Sequence, residues 1–316
     1  MGAVILARPR GFCAGVDRAI ETVEVCLQLY PPPIYVYHEI VHNTHVVQRL
    51  QHAGAVFVND VEEVPEGAVL VFSAHGIAPE IREAVKLKGL NAIDATCPLV
   101  TKVHREAVQF AKEGCTILLV GHADHDEVVG TMGEAPDRIR LVETVEDVER
   151  VRVGDPAKVA VITQTTLSLD DTKAIVEAIV KRFPAVRFPP KEDICYATQN
   201  RQVAVKALAP RVDLILVIGS DNSSNSRRLA EVSQALGTRA YLIDDVSKIR
   251  PEWLTGAARV GITAGASAPE HLVEEVVRFF RDRGTDVVEE LNVIPEDVRF
   301  GLPPELKAAY AKRAAS

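Results

Sequence analysis

The 316 residues are 47% hydrophobic and 25% charged, and the net charge is −8. Such a composition belongs to a folded chain with room for two or three domains. The acidic balance excludes a nucleic-acid partner held by general basicity. It leaves an anionic small molecule open, because a local pocket can oppose the net sign.

In chain order, Val4-Ile5-Leu6-Ala7 reads as a first strand, too short for a signal peptide. Cys13 follows, and Val16 to Leu29 carries apolar residues at helical spacing with Asp17 in its first turn. Pro31-Pro32-Pro33 stops that helix, Ile34 to Tyr37 is a strand, and Asn43 or Thr44 can cap the next helix. Ala55 to Val58 and Ala68 to Phe72 are strands, the second delivering Ser73-Ala74-His75-Gly76 to a turn. Pro79 suits the first turn of a helix ending near Leu87.

Ala92 to Cys97 repeats the order of strand, thiol and helix start. Thr116 to Val120 is a strand that ends in Gly121-His122-Ala123-Asp124-His125-Asp126-Glu127, and Val159 to Ile162 is one that ends in Thr163-Gln164-Thr165-Thr166. Ser168 opens a helix with Asp170 and Asp171 at its positive end. Asp193-Ile194-Cys195 opens a third repeat, with strands at Leu214 to Ile218 and Val260 to Thr263. Polar loops, Gly219 to Ser226 and Ala264 to Pro269, follow them.

Alternating strands and helices predict an α/β fold: three similar αβ domains, each with a mainly parallel sheet. The domains expected are 13–96, 97–194 and 195–284, with the strand in 2–12 joining the third and 285–316 as a C-terminal extension without assigned chemistry. Ligands of such sheets bind beyond the carboxyl ends of the strands, where the polar clusters fall. Three domains turning those ends to a common centre would enclose one polar pocket. No apolar run approaches a membrane span. Five cysteines in this length are no disulfide scaffold, so a cytoplasmic protein is expected.

Cys13, Cys97 and Cys195 each stand between a strand-like run and a helix-like run, where a helix N-terminus lowers a thiol's pKa. Cys26 and Cys115 read as core residues. Without a CxxC pair a structural zinc finger is disfavoured, and three thiolates suit an iron–sulfur cluster with one iron open. His38-Glu39-Ile40-Val41-His42 matches the zinc-peptidase pattern, which needs one helix, whereas a strand leads into this one. His42, His75 and His125 close strands and, with nearby hydroxyls, suit an anion. No P-loop is present, but the Gly219 to Ser226 loop entering a helix can take phosphate. Glu127 in an enclosed pocket would have a raised pKa and act as an acid.

With these segments the chain resembles the LytB/IspH family, the reductases of 4-hydroxy-3-methylbut-2-enyl diphosphate at the last step of the methylerythritol phosphate route. The resemblance rests on Pro9 to Val16, His38 to Asn43, Ser73 to Gly76, Asp94 to Val100, Thr163 to Ser168, Cys195 to Asn200, Ser223 to Ser226 and Thr263 to Pro269. It implies a trefoil of three αβ domains around a [4Fe-4S] cluster bound by Cys13, Cys97 and Cys195. The open iron would take the substrate hydroxyl and be easily lost, leaving [3Fe-4S]. It further implies that His42, His75, His125, Ser223, Ser224, Asn225 and Ser267 hold the diphosphate. Thr165 and Glu127 would lie near the leaving hydroxyl, with Glu127 supplying the proton. Ferredoxin or flavodoxin would be the electron donor. The family usually has proline at position 126, and an added carboxylate at Asp126 is expected to raise the pKa of Glu127. The alternatives are a zinc hydrolase using His38 and His42, or a non-catalytic iron–sulfur sensor.

Overall fold

The computed structural model describes residues 2–307 and 309. They form two compact units, one of 2–16, His42–Val46 and Tyr196–Arg299, the other of Asp17–Val41, Val47–Cys195, 300–307 and 309. The strands fall into three sheets, parallel throughout.

The first unit holds a five-stranded sheet of β1 (Ala3–Arg8), β9 (Leu214–Ile218), β10 (Arg239–Ile243), β11 (Arg259–Ala264) and β12 (Val287–Asn292), in the order β10-β9-β11-β1-β12. Its centre is apolar on both faces, as parallel strands under helices require. Leu214, Leu216 and Ile218 point to one side, with Val4, Val260 and Ile262, and meet Leu272, Val273, Val276 and Phe280 of helix α10 (Glu270–Arg281). Ile215 and Val217 point to the other side, with Ile5 and Ala7. There they meet α8 (Tyr196–Leu208) through Ala204, Val205 and Leu208, and α9 (Ser224–Ala235) through Leu229 and Val232.

The second unit holds two sheets. One runs β3-β2-β4-β5, from Ala55–Val58, Ile34–Tyr37, Val69–Phe72 and Asn91–Asp94. The other runs β7-β6-β8, from Ile139–Val142, Thr116–Val120 and Val159–Thr163. Helix α4 (Pro98–Lys112) lays Val103, Ala107 and Phe110 on Ile117, Leu119 and Ile162, which α5 (Asp126–Glu134) joins through Val128. The opposite face, Leu118, Val120 and Val161, packs on Ile175 and Ile179 of α7 (Leu169–Arg182). The expected caps are present: Asn43 Oδ1 accepts from Val46 N, Ser168 caps α7, and Pro79 opens α3 (Pro79–Leu87).

The structure adds β7 and β10, which the sequence reading left unassigned, and departs from that reading at the C-terminus and before Cys195. Residues 285–316, expected to be an extension, supply β12, which pairs with β1 along its length. Its Val-Val-Glu-Glu-Leu-Asn pattern carries no alternation because the strand lies at a sheet edge and is mostly exposed. Nor does a strand lead into Cys195. Residues 184–195 make one isolated bridge, Ala160 to Arg187, because Pro184, Pro189 and Pro190 bring no N–H to a ladder. Among the described residues, no helix is long and apolar enough to cross a membrane.

Candidate active site

Each of the three spaced cysteines directly precedes a helix: Cys13 before α1 (Ala14–Leu29), Cys97 before α4 and Cys195 before α8. Each is also fixed by its own backbone N–H to the carbonyl of a polar loop in its unit. Cys13 N donates to Ala266 O (3.2 Å), Cys97 N to Ala74 O (3.0 Å) and Cys195 N to Thr165 O (3.0 Å). All three are partly exposed, whereas Cys26 and Cys115 are buried, and burial pushes the Cys26 thiol up to about 12. The lowered pKa expected at these helix starts is not found at Cys13. Burial raises it, outweighing the Arg201 charge and the N–H groups of Val16 and Gly15, which favour the thiolate.

In the second unit, Glu127 stands in the first turn of α5 and is 2% exposed. Its Oε1 accepts from Thr165 N (2.6 Å) and its Oε2 from Thr165 Oγ1 (3.0 Å). Burial pushes this carboxyl up to about 7, against the two Thr165 hydrogen bonds and with help from the charge of Asp193. His125 caps α5, its Nδ1 accepting from Glu127 N (3.2 Å). An Nδ1 used as acceptor carries no proton, so a neutral His125 has its N–H at Nε2. His75 meets His125 edge-on, with ring centroids 5.8 Å apart.

Asp126 does not have the role expected of it. Its carboxylate bonds His38 Nδ1 (2.8 Å), raising the His38 pKa, and lies 3.8 Å from His75 Nδ1. The acidic group that raises Glu127 is Asp193, which the sequence reading did not assign. Asp193 takes Thr163 N at 2.9 Å and Lys102 Nζ at 2.6 Å. The zinc-peptidase geometry is not formed either. β2 ends at Tyr37, α2 (Thr44–His52) starts beyond the motif, and His38 takes the left-handed φ of 58°.

In the first unit, the loops after β9 and β11 lie at the carboxyl ends of adjacent strands. Ser223 caps α9, accepting from Ser226 N (3.3 Å), and its hydroxyl lies 3.4 Å from that of Ser267. Ser267 Oγ donates to His42 O (2.9 Å), and Asn225 Oδ1 accepts from Ala266 N (2.8 Å). Ser223, Ser224, Asn225 and Ser267 are all buried, so a helix N-terminus here presents buried neutral donors rather than ammonium groups.

This packing depends on two glycines. A methyl group on Gly219 or on Gly265 would collide with Ser226 Oγ. Gly265→Ala is therefore expected to cost roughly 1–3 kcal/mol by overpacking, read by urea unfolding, and Ser226→Ala in the same chain to recover part of it. Additive costs would show that the two sites do not touch.

Parallel sheets with polar loops at the carboxyl ends of their strands, a helix start lined by buried hydroxyls and a buried carboxyl raised to about 7 define an α/β protein whose polar groups gather where such sheets bind ligands. The comparisons make the assignment specific. Residues 4–281 match the family described as LytB protein. The chain is 55% identical over 311 residues to the 4-hydroxy-3-methylbut-2-enyl diphosphate reductase of Acidothermus cellulolyticus, covering 98% of this chain and 92% of that one. It is 56% identical over 307 residues to the enzyme of that name from Mycolicibacterium paratuberculosis, covering 97% and 92%. The structure of the E-1-hydroxy-2-methyl-but-2-enyl-4-diphosphate reductase of Plasmodium falciparum superposes with a TM-score of 0.95 at 40% identity, over 99% of each chain. The chain belongs to the LytB family.

Proposed function

We infer that this chain catalyses the reductive dehydroxylation of 4-hydroxy-3-methylbut-2-enyl diphosphate. Two electrons and two protons convert the allylic alcohol to water and isopentenyl or dimethylallyl diphosphate. One proton leaves with the hydroxyl oxygen as water, and the other ends on an allylic carbon. The supporting observation is Glu127, a buried carboxyl at about 7 doubly bonded to Thr165, in a chain more than half identical to reductases of that name.

Cys13, Cys97 and Cys195 suit an iron–sulfur cluster. They are soft donors, unbridged by disulfides, half-exposed at helix starts and each held by a backbone hydrogen bond. A [4Fe-4S] cluster bound by them would supply Lewis acidity and pass on the electrons, and could be found as [3Fe-4S].

The protein's own part is to bind and to move protons. Hydroxide is a poor leaving group, and a protonated Glu127 lets it leave as water. Thr165 Oγ1 holds the Glu127 carboxyl in place. His125, with its N–H at Nε2, is a donor toward the substrate. The residues proposed to donate to the diphosphate are His42, His75, His125, Ser223, Ser224, Asn225 and Ser267. Reduced ferredoxin or flavodoxin delivers the electrons in the cytoplasm.

Metal analysis of protein purified without oxygen separates this reading from a zinc hydrolase. Iron and acid-labile sulfide in near-equal amounts are expected. Zinc without sulfide would overturn the cluster.

A further inference from the structure

Arg201 lies outside the machinery described above, yet its side chain is fully buried. It stands on α8, the helix that follows Cys195. Its Nε and Nη2 donate to Gly11 O (3.1 and 2.6 Å), its Nη2 to Phe12 O (3.2 Å) and its Nη1 to Ala197 O (3.0 Å). The remaining face of the guanidinium takes both oxygens of Glu296 at 3.1–3.2 Å, and Asn200 Nδ2 holds the same carboxylate at 3.1 Å. Glu296 belongs to the segment after β12, far from Arg201 in sequence.

Burying a guanidinium is costly unless its donors are satisfied and its charge is met. Here two of the four acceptor groups are the carbonyls that lead into one residue: Gly11 and Phe12 immediately precede Cys13, while Ala197 lies in the first turn of the helix that carries Arg201. The Gly11 to Cys13 turn is strained toward glycine, with φ of 69° at Gly11 and Ala268 O 3.2 Å from where a Cβ would stand. The planar fork therefore fixes a backbone that would otherwise be free to relax. The guanidinium bonded to the two residues before Cys13 and the Glu296 carboxylate paired with it at 3.1 Å set a buried pair of opposite charges beside the thiol.

We propose that Arg201 is a positioning residue for Cys13: its guanidinium clamps the Gly11–Phe12 carbonyls that present the thiol, and Glu296 both locks the clamp and balances its charge at the sulfur. The charge role rests on the reading of Cys13 as a cluster ligand, since buried charges and hydrogen bonds around a cluster set its potential. The clamp itself does not.

Two variants test it. Arg201→Lys keeps the charge but cannot span the carbonyls. In iron-free protein, the amides of residues 10–15 should exchange with solvent on the order of tenfold faster, while peptides from α10 exchange as in the wild type. Glu296→Gln keeps size and much of the hydrogen bonding but removes the opposing charge. In anaerobically loaded protein the cluster's reduction potential should move positive at unchanged iron content, a shift that a merely structural role would not produce. Unchanged exchange in Arg201→Lys overturns the clamp, whether or not iron binds. An unchanged potential in Glu296→Gln overturns the charge role. Wild-type protein that takes up neither iron nor sulfide counts against the cluster reading, and the exchange comparison then still decides the clamp.

Discussion

Glu127→Gln should lose turnover by a factor of about 10²–10⁴, the usual worth of a positioned general acid, while keeping its iron. Gln fills the same space beside Thr165 but has no acidic proton to give. The wild-type carboxyl, at about 7, is protonated below that pH and ionised above it. Activity that needs the acid form is therefore full on the acid side and falls about tenfold per pH unit above neutrality. Stability carries the same signature. The folded state holds this proton up to about pH 7, while the unfolded carboxyl gives it up near 4.3. Between those values the native state binds more protons than the unfolded one, so wild-type stability drops as pH rises through the window. Glu127→Gln is spared that loss. Its advantage in urea unfolding should grow from near zero at pH 4 to roughly 3–4 kcal/mol above pH 7.5. An advantage that does not change with pH would mean that the carboxyl is not buried as described.

Replacing Cys13, Cys97 or Cys195 singly with serine should remove most of the iron and sulfide, and with them all activity. Hydroxyl oxygen is a poor ligand for a cluster that selects soft thiolates. The two other cysteines provide the contrast. Cys26 and Cys115 lie in the core at 0% and 1% exposure, and an alanine at either should cost on the order of 1 kcal/mol without loss of iron. Iron lost equally from all five variants would point to unfolding rather than ligation. Iron retained by any of the three serine variants would remove that residue from the ligand set.

Much of the fold was legible because its centre is simple. A run such as Leu214 to Ile218, apolar on both faces, can only be a strand covered on both sides, and the structure buries all five residues. Helix starts at Pro79 and Ser168 were equally open to reading, since each rests on a local rule about the first turn. Three of the edge strands were not. β7, β10 and β12 are short or polar and owe their existence to the neighbour they pair with.

The same division runs through the site. Glu127 could be singled out by its place after a strand, but the charge that acts on it could not. Asp126 is adjacent in sequence and turns to His38, whereas Asp193 reaches Glu127 through the fold. Arg201 and Glu296 escaped for a like reason. A lone arginine on a helix gives no hint that it is fully buried, and its partner lies in a stretch that reads as a tail.

The most direct test is turnover under strict exclusion of oxygen. Iron-loaded protein is mixed with chemically reduced viologen and 4-hydroxy-3-methylbut-2-enyl diphosphate, and viologen oxidation and products are followed together. The reductase reading predicts two viologen radicals consumed per substrate, with isopentenyl and dimethylallyl diphosphate appearing in matching amount. Full iron and sulfide, bound substrate and no oxidation would contradict it, and leave a protein that senses the diphosphate without reducing it.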